Sequence, residues 1–308
     1  MKVLNLGSLN LDRVYTVDKF VDAGETIQAK KLEYFCGGKG LNQSIALAKA
    51  GAEVYHAGAV GKDGAILKEE LEKAGVHIDY LQSLTDIESG HAVIQVVPSG
   101  QNCIIVCKGA NGENNENYID RVLGQFSEGD MILLQNEISN VSYAIKQAKK
   151  KGMKVAFNPS PITEEMYGYS LEDVDYFILN EYEGKAISGC PSDDYDEILQ
   201  AVSQKYRDAV VVMTIGEKGC ICREKDDMYR QKAYPVTAVD TTAAGDTFCG
   251  YFLAGIGKGI GIRDSLDYAS RAAAMAVEKM GAAGSIPFWQ EVEQRRRADE
   301  ADKTNSAD

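Results

Sequence analysis

The sequence predicts an α/β protein with a doubly wound, mostly parallel sheet flanked by helices, together with a small β-sheet lid. Apolar runs of strand length alternate along the chain with helical patterns that end at glycine. Two further stretches alternate apolar and polar residues without helical spacing, which is typical of hairpins. With 308 residues and 44% hydrophobic content, the chain can bury the core of one large domain with a small appendage.

The predicted strands of the main sheet are continuous apolar runs, as expected where helices cover both faces of a parallel sheet. They cover residues 3–6, 131–134, 154–157, 176–179 and 210–213. Helical patterns cover residues 41–50, 65–74 and 141–151, and a glycine follows each of them, which is a common signal for a helix end. Residues 235–239 predict a further short strand.

The two alternating stretches, residues 13–36 and 91–108, predict hairpins in a separate small sheet. We therefore expect a lid of residues 13–36 and 89–108 over a large domain of residues 1–12, 37–88 and 109–308. A sheet at the mouth of an α/β domain can exclude water from a site. The charged tail, residues 291–308, is expected to fray.

Composition excludes several classes of function. A net charge of −13 argues against nucleic-acid binding, which needs a basic face. The amino terminus is too short for a signal sequence and no apolar run is long enough to span a membrane. Seven cysteines contain no Cys-x-x-Cys pair and three histidines are scattered, so neither a zinc site nor a disulfide framework is indicated. We expect a cytoplasmic protein without nucleic-acid or membrane partners.

Residues 240–248, Asp-Thr-Thr-Ala-Ala-Gly-Asp-Thr-Phe, are the most informative stretch because they precede a mostly apolar helical pattern. The first turn of a helix offers unpaired N–H groups to a phosphate. The small residues Ala243, Ala244 and Gly245 permit close approach of that phosphate, and Asp246 is placed to accept a proton from an attacking hydroxyl. The alternative, that Asp246 only caps the helix, remains open at this point.

Polar residues gather where the predicted strands end, which is where open α/β sheets bind ligands. They are Asn10, Asp12, Glu137, Asn180, residues 214–219 and Asp240. Each has a structural alternative, and Asn180 with Glu183 has the pattern of a capping box. Their shared position favours a binding site.

A second glycine-rich stretch, Cys-Gly-Gly-Lys-Gly-Leu-Asn-Gln at residues 36–43, leads into the first helix. Its glycines permit close approach of a ligand, while Lys39 and Asn42 supply the mixed donors and acceptors that a polyhydroxylated sugar needs. A glycine hinge is the alternative. The sequence contains neither a P-loop motif nor the glycine fingerprint of dinucleotide-binding folds.

These two glycine-bearing stretches resemble the two signatures of the PfkB carbohydrate kinases, most nearly those of the ribokinase group. Supporting motifs occur in the same order over nearly the whole chain, at residues 7–12, 109–111, 137, 180–183 and 216–219. The resemblance implies a ribokinase-like fold, an ATP-dependent sugar kinase that uses Mg²⁺, and a lid that pairs two protomers in a homodimer. It also implies activation by K⁺.

The resemblance assigns roles by position. Asp246 matches the catalytic base, and Ala243, Ala244 and Gly245 match the anion hole beside it. The sugar-binding positions are Asn10, Asp12, Gly38, Lys39, Gly40, Asn42, Glu137 and Asp246. The nucleotide-binding positions are Asn180, Glu183, Thr214, Gly216, Glu217, Gly219, Gly245 and Ser270, the last of which replaces a frequent histidine. The K⁺ positions are Asp240, Thr242, Ala276, Lys279, Gly281 and Ser285.

The reaction implied is transfer of the γ-phosphate of ATP to a primary hydroxyl, with O5 of D-ribose favoured. Three alternatives stay open: a nucleoside, pentose or ketose kinase of the same family, a non-catalytic sugar or nucleotide sensor, and, more distantly, a dinucleotide-dependent oxidoreductase. The paired Gly245 and Asp246 argue against a sensor, which needs no base at an anion hole.

Overall fold

The computed structural model describes residues 1–305 of the chain, with side chains through residue 301. Within that range the predicted architecture is confirmed: a large, mostly parallel sheet is flanked by helices, and four other strands form a separate small sheet.

The strand order of the large sheet places a ligand site at its centre. Across the sheet, the strands of the described chain are β13 (Asp227–Gln231), β12 (Cys220–Glu224), β11 (Val210–Thr214), β10 (Tyr176–Asn180), β9 (Lys154–Asn158), β8 (Met131–Gln135), β1 (Val3–Leu6), β4 (Val54–Val60) and β5 (His77–Ser83). The seven from β11 to β5 are parallel, and β12 and β13 are antiparallel. The chain winds from β1 to one side and later from β8 to the other, so the topological switch lies between β1 and β8.

Helices cover both faces of the large sheet. In chain order they are α1 (Lys39–Lys49), α2 (Ala65–Lys73), α3 (Glu116–Leu123), α4 (Val141–Lys150), α5 (Glu181–Ser188), α6 (Tyr195–Lys205), α7 (Ala244–Gly257), α8 (Ile262–Val277) and α9 (Trp289–Asn305). One apolar core lies between the sheet and α1, α7 and α8, and a second lies on the other face under α3, α4 and α6. Among these helices none is long and apolar enough to cross a bilayer.

The small sheet consists of two hairpins joined side by side. Its strands are β2 (Asn10–Thr16), β3 (Lys31–Gly37), β6 (Gly90–Val96) and β7 (Asn102–Cys107). The order is β3-β2-β6-β7, with β2 and β6 parallel at the centre and each hairpin antiparallel. Several large apolar side chains on β3 and β7 are exposed, including Tyr34 at 59% and Ile105 at 63%.

Residues 235–239, predicted as a strand, are irregular, so that prediction is wrong. Pro235 has no N–H to donate to a sheet. The N–H groups of Val239 and Asp240 instead donate to the carbonyl of Val277 at the end of α8, at 2.7 and 3.2 Å. The segment is therefore held by a helix end rather than by a neighbouring strand.

The charged tail does not fray within the described residues but forms α9 as far as Asn305. Trp289 anchors the helix, since its ring lies 4.4 Å from that of Tyr268 and stacks on Tyr251 at 6.2 Å. The guanidinium of Arg296 also pairs with Asp264 of α8 at 3.0 Å. Residues 306–308 of the predicted tail lie outside the described residues.

Candidate active site

The predicted catalytic and sugar-binding residues meet at the switch between β1 and β8, beside the amino-terminal ends of α1 and α7. The two helices pack closely, because a Cβ placed on Gly250 of α7 would lie 2.4 Å from Cβ of Ala46 on α1. This small separation lets side chains from the first turns of the two helices reach each other.

Asp246 lies in the first turn of α7 but does not cap it. The residue that precedes the helix is Ala243, which has a left-handed φ of 61° and makes no side-chain cap. The Asp246 carboxylate is only 8% exposed. Its Oδ2 accepts from Nδ2 of Asn42 at 3.0 Å, and its Oδ1 accepts from Nε2 of Gln43 at 2.9 Å. The carboxylate is thus oriented by α1.

The turn before Asp246 has the features of an anion cradle. The N–H groups of Gly245 and Asp246 fall in the first turn of α7, where no preceding turn supplies a carbonyl. A Cβ on Gly245 would meet no atom within 4 Å, so the space in front of this backbone is open. Together with the positive end of the helix dipole, these groups can hold a phosphate next to the Asp246 carboxylate.

The glycine-rich turn before α1 is shaped by close contact with the chain after β1. Gly38 has a φ of +95°, and a Cβ on Gly40 would lie 2.3 Å from the backbone nitrogen of Ser8. The N–H of Gly40 donates to the Ser8 hydroxyl at 3.2 Å, and the N–H of Leu41 donates to the Ser8 carbonyl at 2.9 Å. Only glycine fits at residue 40, which explains part of the motif.

Glu137, after β8, closes this turn from the other side. Its Oε2 accepts from the Ser8 hydroxyl and from the backbone N–H of Lys39, the latter at 3.1 Å. Asp12 lies near it, and burial together with the Glu137 charge raises the pKa of Asp12 to about 6. Asn10 is buried, and its Oδ1 accepts from Nδ2 of Asn111 at 2.8 Å.

Lys39 lies among the carboxylates of the site. Burial alone would lower the pKa of its ammonium, but the charges of Asp246, Glu137 and Glu183 outweigh burial and raise it. Lys39 therefore stays charged and offsets part of the negative charge that these carboxylates bring together.

The predicted nucleotide-binding positions lie along the ends of β10 and β11. Asn180 and Glu183 form the complete capping box of α5, with bonds of 2.8 and 3.0 Å. Burial raises the pKa of Glu183. Gly216 and Gly219 take positive φ values in the turn after β11, and Glu217 there is exposed. The Thr214 hydroxyl donates to the carbonyl of Leu179 at 3.3 Å.

Ser270 on α8 is buried, as Glu183 is, and its hydroxyl lies 3.9 Å from Sγ of Cys220. Its side chain lies where α8 packs against the start of β12, and Cys220 there pairs with Thr214 at the carboxyl end of β11.

The positions assigned to K⁺ are partly brought together by Asp240. Its carboxylate accepts from the N–H groups of Thr242 and Gly281, at 2.9 and 3.0 Å, and so ties the turn before α7 to the loop after α8. Burial alone would raise the pKa of Asp240, but a bond of 2.6 Å from the Thr242 hydroxyl, together with the two backbone bonds, lowers it. Ser285 bonds within its own turn, and Lys279 pairs with Glu291 at 3.8 Å.

Ala276 is buried in the last turn of α8. Throughout the described residues there is no group of three histidine, cysteine, aspartate or glutamate side chains that could hold a metal ion.

Sequence reasoning missed two residues that shape this site, Ser8 and Gln43. Both lie inside motifs that attracted attention for other residues. Their partners, Glu137 and Asp246, are 129 and 203 positions away along the chain, and no pattern in a single sequence reports contacts over such separations.

A carboxylate beside an open helix terminus at the switch of a doubly wound sheet is the arrangement that phosphoryl transfer requires. Residues 1–289 match the pfkB family carbohydrate kinases. The ribokinase of Haemophilus influenzae is 33% identical over 295 residues, covering 93% of this chain and 95% of that protein. The deoxyribokinase of Salmonella typhi is 33% identical over 260 residues, covering 82% and 84%.

Solved structures agree. The Arabidopsis thaliana ribokinase complexed with ribose and ATP superposes with a TM-score of 0.84 at 30% identity, covering 95% of this chain and 97% of that one. The chain therefore belongs to the PfkB family of carbohydrate kinases, which are phosphotransferases with an alcohol group as acceptor.

Proposed function

We propose that this enzyme transfers the γ-phosphate of ATP to the primary hydroxyl of a pentose, with D-ribose as the substrate and D-ribose 5-phosphate as the product. The observation that carries the proposal is the Asp246 carboxylate, which is held by two amide donors beside the open first turn of α7. A relative named for ribose and a related structure holding ribose and ATP support the choice of substrates.

In the proposed reaction, Asp246 accepts the proton of the sugar hydroxyl as its oxygen attacks the γ-phosphorus. The bond between the γ-phosphorus and the bridging oxygen breaks, and ADP leaves. In the cradle formed by Ala243, Ala244 and Gly245, the N–H groups of Gly245 and Asp246 stabilise the charge on the transferring phosphoryl group, while the N–H of Ala244 donates to the Thr241 carbonyl at 3.3 Å. Lys39 adds a positive charge close by.

The sugar is proposed to lie between the glycine-rich turn and the small sheet. Hydroxyl-binding groups come from Asn10, Asp12, Gly38, Lys39, Gly40, Asn42 and Glu137. The register of the small sheet adds an apolar row beside Asp12, because Asp12 pairs with Phe35 on one side and Ala92 on the other, and Ala92 pairs with Val106. Such a row suits the carbon face of a small sugar and supports a lid role for residues 13–36 and 89–108.

The nucleotide is proposed to lie along residues 180–183 and 214–219, with Ser270 beside the end of β11. Mg²⁺ would be held by ATP and water near Glu183 and would supply positive charge that offsets the charge of the transferring phosphoryl group. The site suits an ion held mainly by ATP and water, since the described residues contain no cluster of three ligand side chains and Glu183 is the buried carboxylate on the nucleotide side.

We also propose K⁺ activation through the two loops that Asp240 joins. Its lowered pKa keeps the carboxylate charged at neutral pH, and the loops of residues 240–242 and 281–285 offer backbone carbonyls, the oxygen ligands that such an ion prefers. If activity is independent of KCl concentration at constant ionic strength, this part of the proposal is wrong.

A homodimer formed through the small sheets is proposed because Tyr34 and Ile105 expose much of their apolar area there. Ile105→Glu should halve the mass measured by analytical ultracentrifugation, and a monomeric wild type would exclude the dimer.

A cytoplasmic location is proposed because the seven cysteines are free thiols.

The decisive experiment is ATP turnover with Mg²⁺ and K⁺ against D-ribose, 2-deoxyribose, fructose and several nucleosides, with Asp246→Asn in parallel. Ribose should give the highest kcat/KM, and the mutant should lose turnover by about two to four orders of magnitude while still binding ATP. Faster turnover of 2-deoxyribose than of ribose would show that 2-deoxyribose is the substrate, as the name of the Salmonella typhi deoxyribokinase suggests. Near-normal turnover by Asp246→Asn would refute its role as the base.

A further inference from the structure

We propose that Gln43 is a positioning residue for the catalytic carboxylate, and that a buried network of amides fixes its orientation. This inference rests on the proposed function of Asp246. Gln43 lies on α1 directly after the sugar-binding Asn42, and its side chain is fully buried. Its Nε2 donates to Oδ1 of Asp246 at 2.9 Å and to Oδ1 of Asn158 at 3.1 Å.

Two amide donors, from Asn42 and Gln43, are needed to fix the orientation of the Asp246 carboxylate. The bond from Asn42 engages only Oδ2, so the carboxylate could still rotate about its Cβ–Cγ bond. The bond from Gln43 engages the other oxygen and fixes the plane of the group. The remaining lone pairs of the Asp246 carboxylate then point in a fixed direction, from which they can accept the proton of the sugar hydroxyl.

The Gln43 amide can donate to Asp246 only if its nitrogen faces that residue, and two backbone carbonyls determine that it does. Carbonyls only accept hydrogen bonds. Nδ2 of Asn158 donates to the carbonyl of Ile178 at 3.0 Å, which leaves Oδ1 of Asn158 facing Gln43. An oxygen of Gln43 placed there would oppose both the Asn158 oxygen and the carboxylate.

The second anchor reaches Gln43 from the opposite side. Nδ2 of Asn5 on β1 donates to the carbonyl of Gly40 at 2.8 Å, so its Oδ1 is left to accept from Nε2 of Gln135 at 3.0 Å. The same Gln135 nitrogen donates to Oε1 of Gln43 at 2.7 Å. Both anchors therefore demand the same orientation of the Gln43 amide.

The burial of this network separates positioning from substrate binding. Asn5, Gln43 and Gln135 are all fully buried, and both ends of the Gln43 amide are occupied by protein groups. Gln43 therefore cannot touch the sugar or ATP, and its effect on the reaction must pass through Asp246. The network joins β1, β8, β9 and α1 to the base on α7.

The test is the Gln43→Met variant, which keeps the length of the side chain and removes the donor. We expect kcat to fall about tenfold to a hundredfold, with KM for ribose and for ATP unchanged within about threefold. In the Asp246→Asn background, Gln43→Met should cause no further loss, because a residue that acts only through Asp246 has nothing left to position. The control is Val202→Ala, which creates a cavity on the buried face of α6. This variant should lose stability but keep the wild-type kcat.

The outcomes separate the two proposals. If Asp246→Asn retains near-normal turnover, the assignment of the base fails. If that variant is impaired but Gln43→Met has the wild-type kcat, or if Gln43→Met lowers turnover equally in both backgrounds, only the positioning role fails. Should Gln43→Met not fold, Gln43→Leu removes the same donor with a smaller apolar side chain, and a wild-type kcat in that variant would likewise overturn the inference.

Discussion

The Asp12→Asn substitution is expected to stabilise the protein at neutral pH while it weakens sugar binding. Burial and the neighbouring Glu137 raise the pKa of Asp12 from 3.8 to about 6. The folded protein therefore binds the Asp12 proton more tightly than the unfolded chain does. Between about pH 4 and pH 6 the unfolded chain releases this proton first, so the free energy of unfolding falls as pH rises through that range.

The size of the effect follows from the shift. One pKa unit corresponds to about 1.4 kcal/mol, and a shift of roughly two units sets a ceiling of about 3 kcal/mol. Because Asp12 keeps some contact with water, about 1–3 kcal/mol is the expected gain for Asp12→Asn at pH 8. The gain should be about a third as large at pH 4.5, which lies near the lower end of the range over which the free energy of unfolding falls.

Urea denaturation of both proteins at pH 4.5 and pH 8, without ligands, measures this difference. The exposed Asp226 in the turn between β12 and β13 supplies the control, since Asp226→Asn makes the same change in net charge without a buried carboxylate. A stability difference for Asp12→Asn that is absent, or that is the same at both pH values, would contradict the reasoning.

Three further predictions concern the same site. The KM for ribose should rise as pH falls through about 6, because Asp12 takes up a proton, and this pH dependence should be absent in Asp12→Asn. Gly40→Ala should lose about 1–3 kcal/mol of stability in urea denaturation and most of its sugar affinity in calorimetry, because the new Cβ would lie 2.3 Å from the Ser8 nitrogen. The control Gly112→Ala, which has open space around its Cβ, should keep the wild-type stability and affinity. Equal losses in the two variants would argue against the contact with Ser8. Lys49→Met should raise the K⁺ concentration for half-maximal activity, because Nζ of Lys49 holds the carbonyls of Ala283 and Ile286 at 3.1 and 2.9 Å; an unchanged K⁺ titration would remove this role.

Much of the fold could be predicted because its determinants are local. The buried strands of the parallel sheet are continuous apolar runs, and the five predicted ones begin at the predicted residue in the structure. Residues 235–239 were mistaken for a strand because a β-branched apolar run gives the same local signal, whereas their hydrogen bonds depend on Val277 at the end of α8. The helix at the tail was missed because Trp289 stabilises it through distant rings.

The site could be predicted only as far as its motifs reach. Gly40 and Asp246 lie in glycine-containing stretches next to predicted helices, so their position at the edge of the sheet could be expected. The role of Gln43 could not, since a glutamine in an alanine-rich helix is unremarkable until its partner on α7 is known. Contacts between residues far apart in sequence carry no local signal.

The arrangement separates the groups that bind ligands from those that orient them. Asp12 and Glu137 are proposed to bind the sugar, and burial together with the Glu137 charge raises the pKa of Asp12, so the ionised form of Asp12 is destabilised in the unliganded site. The amides of Asn5, Gln43 and Gln135 are satisfied among themselves and carry no charge. A neutral network can hold Asp246 in place without adding to the charge of the site or changing its own protonation between pH 5 and pH 9. It follows that pH should act on sugar binding through Asp12, while the orientation of the base stays constant over the same range.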